Sequence, residues 1–325
     1  MGKNIELNDL SKFRTELMGF STLLILICHS IAYVEMPRIL YYGLSLGNLG
    51  VDLFLFLSGM GMWYSISNYS RSEIHWYCDR YKKLFIPYLV SLLPLEFVQF
   101  ALGKQLEHGI ANWLFGITSL RFYVSHNAAW FIAALIPLYL FAPIFYKFIR
   151  LYHWKASIFL IILHYIILVI PLDFSSDLVN NICSNIQFVA IRATCFILGM
   201  ALGKYIKEKK TISVLWLLGL IAVGVVAVII TRHFVYGYFY FTLPLLYLFI
   251  YIIKHCCMQI GRFARFMGTI SLESYIINGV LPKLLISLFV WLKLPVVNNL
   301  LPYLLSCVLG LLLGYVFHKI SEKIL

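Results

Sequence analysis

Charge is scarce in this 325-residue chain: only 12% of its residues are Asp, Glu, Lys or Arg. That is about half the share of a soluble domain, so a normal aqueous surface is excluded. Acidic residues are scarcer than basic ones, 14 against 26. No polar connection is long enough to fold as a soluble domain of its own. Internal repeats and low-complexity linkers are also missing, which tells against the paired halves of many transporters. The seven cysteines show no metal-ligand spacing apart from the adjacent Cys256 and Cys257. Packing thiols are therefore expected, with neither a disulfide framework nor a metal site.

What the chain does have is hydrocarbon. Apolar residues make up 62% of it, and the mean hydropathy is +0.87. Runs of about 20 apolar residues recur from end to end, each long enough to cross a core of about 30 Å. The short alternating strands of a barrel are not seen, so the expected fold is an all-α, polytopic transmembrane helix bundle. Ten spans are predicted, near 17–35, 47–67, 84–102, 129–148, 156–172, 186–203, 213–230, 235–253, 269–291 and 300–318, forming one domain over 1–325. The polar N-terminus lacks a small-residue cleavage site, so the first span is expected to be retained. With that terminus in the cytoplasm, nineteen of the 26 Lys and Arg fall on the inner side and five on the outer. This is the positive-inside pattern, and it puts the C-terminus in the cytoplasm as well. The net charge of +12 then fits an anionic inner leaflet rather than nucleic acid.

Polar side chains at membrane depth are functional candidates, because each is expensive without a partner. They are His29, Asp52, Glu96, His164, Arg192, Glu273 and Lys283. Counted along their helices, His29 and Asp52 reach similar depth in the outer half of the bilayer, where an Asp–His pair would prepare a general base. The same pair would also serve as a tie between two helices. Glu96, Arg192 and Lys283 either line an outward cavity or tether helices, and His164 reads as a packing residue. The segment RYKKLFIPYL, residues 80–89, places Arg80, Lys82 and Lys83 at the inner end of the third span. These cations either anchor to lipid phosphates or hold the phosphates of a cytosolic donor.

Five motifs, in order, carry a family resemblance. They are RTELMGFSTLLILICHS (14–30), GNLGVDLFLFLSGMGMW (47–63), RYKKLFIPYL (80–89), AAWFIAALIPLYLFAPIF (128–145) and FMGTISLESYIIN (266–278). Together they resemble the acyltransferase-3 family of integral membrane acyltransferases of the bacterial O-acetyltransferase type. The resemblance implies transfer of an acyl group, usually acetyl, from cytosolic acyl-CoA to a hydroxyl of an extracytoplasmic cell-envelope polysaccharide. It implies His29 as catalytic base, Asp52 as its partner, and Arg80 and Lys83 as donor-handling residues. Arg14 stands one turn before Met18, where the family often has arginine. Asn278 stands where the family often has a second histidine.

The expected mechanism docks acetyl-CoA at Arg14, Arg80, Lys82 and Lys83, without a metal. His29 then deprotonates the glycan hydroxyl, and Trp130, Arg192, Glu273, Tyr275 and Asn278 contact the acceptor. The expected partners are acyl-CoA, the glycan, the lipid bilayer and a second copy of the chain, with no nucleic acid. The location expected by resemblance is the bacterial cytoplasmic membrane. The competing reading is a transporter or flippase for a glycan or lipid-linked sugar.

Overall fold

The computed structural model describes residues 4–103, 109–125, 129–169, 174–232, 237–294 and 298–325. The side chain of His164 lies outside what is described. The chain is an all-α bundle. Its long helices are α1 (Arg14–His29), α2 (Leu49–Ser67), α3 (Glu73–Ala101), α4 (Trp130–Tyr152), α5 (Trp154–Val169) and α6 (Asp177–Lys207). They continue as α7 (Val214–Thr231), α8 (Tyr238–His255), α9 (Met258–Thr269), α10 (Ser271–Trp291) and α11 (Leu300–Ile324).

Nine helices among the described residues are long and apolar enough to cross a membrane. The fifth predicted span falls on α5, of which 16 residues are described, or about 24 Å at a rise of 1.5 Å per residue; residues 170–172 of that prediction lie outside the described residues. The termini meet on one face. Strand β1 (Asn4–Glu6) pairs antiparallel with β2 (Thr211–Ser213), with Asn4 opposite Ser213. Lys254 Nζ sits 2.5 Å from Asp9 Oδ2 on the same side. At the start of α10, Glu273 accepts from His318 Nδ1 near the C-terminal end of α11, at 2.9 Å. Lys207, Lys254 and the cations of RYKKLFIPYL share this side, hereafter the basic face.

Helix α2 is the core. It is buried along most of its length, from Gly50 to Trp63, which only a helix apolar on every side can satisfy. Its closest neighbour is α6, and glycines make the approach possible. A Cβ on Gly59 would lie 1.9 Å from the Phe196 carbonyl oxygen, and one on Gly199 2.0 Å from that of Phe56. Small residues at such crossings let backbones touch where lipid supplies no hydrophobic drive.

Prolines inside spans free carbonyls that must find other donors. In α4, Pro137 leaves the Ala133 carbonyl without its i+4 amide, and Tyr123 Oη donates to it at 2.9 Å. Tyr123 belongs to the α3–α4 connection, which carries two short helices, Gly109–Ile117 and Arg121–Ser125. The Ser119 hydroxyl bonds Tyr88 Oη at 2.8 Å, and Asn185 Nδ2 donates to the Phe122 carbonyl at 3.0 Å. A segment that reads as a plain loop is thus pinned across the face opposite the basic one.

Candidate functional site

Helix α1 ends at His29, which is half-buried and followed by a 3-10 turn over Ser30–Ala32. Its Nδ1 lies 2.5 Å from Asn278 Oδ1 of α10. An amide oxygen only accepts, so Nδ1 is the donor here, and in the neutral ring Nε2 keeps its lone pair. Helix α11 backs this arrangement, with Tyr303 Oη donating to the Leu26 carbonyl.

His29 lines a cavity of about 840 Å³ on the far side of the bundle. Its walls include Tyr33, Trp113 and Trp130 as flat apolar faces, with Glu96, Arg121 and Lys283 as charged groups. Trp113 Nε1 donates to Glu96 Oε2 at 3.3 Å. A few polar groups among aromatic faces make a site suited to a small ligand. Trp113 and Arg121 escape a sequence reading because they sit between spans. The apolar run GIANWLFGI (109–117) is the signal that marks this connection as more than a loop.

A second cavity, of about 120 Å³, faces the basic side. Arg80 and Lys83 line it, together with Ser58, Tyr139 and several apolar residues. Arg80 Nε is buried with no hydrogen-bond partner among the described residues, and a guanidinium so placed suits an anion. Arg14 is close by in the fold, donating from Nε to the Leu57 carbonyl at 3.2 Å. Lys82 is exposed and does not line the cavity. Tyr275 lines both cavities.

The structure places four of the expected site residues elsewhere than expected. Asp52 does not pair with His29. Its carboxylate accepts from Arg192 Nη1 and lies 3.6 Å from Cys195 Sγ. The α2–α6 glycine crossing carries Arg192 to that depth, whereas α1 presents His29 to α10. Arg192 lines neither cavity: it is 1% exposed, and its guanidinium is enclosed by the rings of Trp130, Phe188 and Tyr238, 5.1–5.7 Å away. Glu273 is likewise engaged with His318 and lines neither cavity. Asn278 turns from the acceptor to His29. Trp130 does face the larger cavity, held from behind by Phe188 at 5.0 Å between ring centroids and by Arg192.

Residues 17–319 match a protein-family model described as an acyltransferase domain. No curated protein matches the chain, and no solved structure does.

Proposed function

The chain belongs to the acyltransferase-3 family of membrane acyltransferases, and from that premise we propose that it is an acyl-CoA-dependent O-acyltransferase acting on a cell-surface glycan. The donor, acetyl-CoA, docks from the cytoplasm on the basic face. Arg80 and Lys83 receive its phosphates, with Arg14 behind them. The acceptor hydroxyl enters the larger cavity from outside, where Trp130 offers a flat face to a sugar ring.

His29 Nε2 takes the hydroxyl proton as the oxygen attacks the thioester carbonyl. The new C–O bond forms, the C–S bond breaks, and the imidazolium returns its proton to the departing thiolate. Among the described residues, the Ser72–His75 and Cys195–Asp52 contacts lie outside both cavities, so transfer is direct. Asn278 fixes the tautomer, as a carboxylate does in other histidine sites. Asp52 and Arg192 do not touch the reactants; they hold α2 against α6 and steady Trp130. In this reading both termini are cytoplasmic and the protein sits in a bacterial inner membrane.

The observation that carries the reading is the placement of a histidine, engaged through Nδ1 by Asn278, in one cavity with a cavity lined by Arg80 and Lys83 one helical turn away. Two cavities on opposite faces also suit a carrier. One experiment separates the two: purified protein with radiolabelled acetyl-CoA and crude envelope glycan. The enzyme reading predicts label in the glycan. Glycan movement across vesicles without any label transfer would instead establish a carrier.

A further inference from the structure

The larger cavity holds more positive charge than the proton transfer at His29 requires. Besides that histidine, Glu96, Arg121 and Lys283 line it, two cations against one carboxylate. The carboxylate is engaged, since Trp113 Nε1 donates to Glu96 Oε2 at 3.3 Å. The cations are not: among the described residues, neither Arg121 nor Lys283 makes an ion pair or a side-chain hydrogen bond.

The two cations reach this space from separate elements. On α10, Tyr275, Gly279 and Lys283 follow at intervals of four residues and all line the cavity, so they share one helix face. Gly279 leaves that face bare, because a Cβ there would meet nothing within 4 Å. Lys283 lies five residues beyond Asn278, about 7.5 Å further along the axis from the basic face. Arg121 opens the short helix Arg121–Ser125, and its Cδ lies 3.9 Å from where a Cβ on Gly116 would stand. A lysine inside a span is costly without a partner and marks a function by default. Snorkelling to lipid headgroups accounts for one flexible lysine. It does not account for an arginine from another element lining the same space.

We propose that Arg121 and Lys283 form an anion subsite beside His29, and that the acceptor is an acidic glycan with a carboxylate or phosphate near the acylated hydroxyl. The inference rests on the acyl-transfer reading and narrows its acceptor. The Arg121 guanidinium offers paired N–H donors to either acid, and Lys283 adds a point charge. With the acid held there and the sugar ring against Trp130, the neighbouring hydroxyl is placed at His29, and the transfer described above follows unchanged. The same charges draw the acceptor into the cavity, an attraction that salt weakens.

The test incubates purified protein with radiolabelled acetyl-CoA and crude envelope glycan, then separates the glycan by anion exchange. Label should sit in the retained, acidic fraction. Arg121→Gln and Lys283→Gln should each raise the KM for that fraction by about tenfold, the scale of one hydrogen bond to a charged group. In both, KM should move more than kcat, and added salt should raise KM less than it does for wild type. Lys283→Arg keeps the charge and should keep most of the affinity. Three oligomers of equal length then compete for the site: an oligouronate, a glycerol phosphate oligomer and a neutral oligosaccharide. Stronger inhibition by either acid supports the subsite, and the better of the two identifies the acid. Equal inhibition by all three, label only in the neutral fraction, or unchanged KM in both folded variants overturns the subsite and leaves acyl transfer standing. No label in any fraction defeats the function itself, and the subsite with it.

Discussion

Two of the polar pairs described within the bundle are built to opposite ends. Asp52 and Arg192 are both charged and both enclosed, with side chains 2% and 1% exposed. His29 is paired with the neutral amide of Asn278, and it lines a cavity large enough for a ligand. The first pair has no access to a substrate, so its polarity is internal: it fixes how α2 meets α6. The second has one ring nitrogen tied and the other left for chemistry. A polar residue in a membrane helix is therefore read best by whether it borders space, and less well by its depth alone.

The contrast is broken most severely at the charged pair. Asp52→Ala leaves the Arg192 guanidinium buried and unpaired, which costs about 3–5 kcal/mol. Thermal unfolding in detergent should show a large loss of stability, with activity falling along with the fold. Asp52→Ala combined with Arg192→Met removes both charges and should recover much of that loss. Failure of the double variant to recover would mean that the pair does more than tether.

The neutral pair should behave in the reverse way. Asn278→Ala frees the ring of His29 to turn and to change tautomer. Misplacement by about 1 Å can reduce a rate by about a hundredfold, so acetyl transfer should fall by that order while the melting temperature moves little. Asn278→Asp, which restores an acceptor for Nδ1–H, should regain part of the rate. A drop in stability that matched the drop in rate would make Asn278 a tether like Asp52.

Glu273 sharpens the comparison at its weak end. Its contact with His318 joins α10 to α11 away from both cavities. Glu273→Gln keeps an acceptor and gives up only charge assistance, worth about 1 kcal/mol. A small shift in melting temperature with unchanged transfer is expected. A strong loss of transfer at full stability would bring Glu273 back into the site.

Much of this was legible in the sequence, and the reason it stopped is geometrical. Spans, basic loops and the intramembrane His29 follow from composition and order. Depth along a helix follows from a fixed rise per residue. Azimuth does not: His29 and Asp52 reach similar depths, yet Asp52 faces α6 and His29 faces α10. Their actual partners lie 140 and 249 residues away in the chain, and packing alone selects them. The glycine contacts at Gly59 and Gly199 decide which face of α2 meets α6, and a list of intramembrane charges cannot reveal that. The short helices over 109–125 were missed for a related reason. They are too short to read as spans, and their order comes from single bonds such as Tyr123 to Ala133.

The central claim is that His29 does chemistry, whereas the neighbouring buried charges hold structure. Acetyl transfer and thermal unfolding measured on the same preparation of His29→Ala test it directly. Loss of a positioned base should lower the transfer rate by about 10²–10⁴ while the unfolding transition stays near that of wild type. Transfer at the wild-type rate by a folded His29→Ala protein would contradict it.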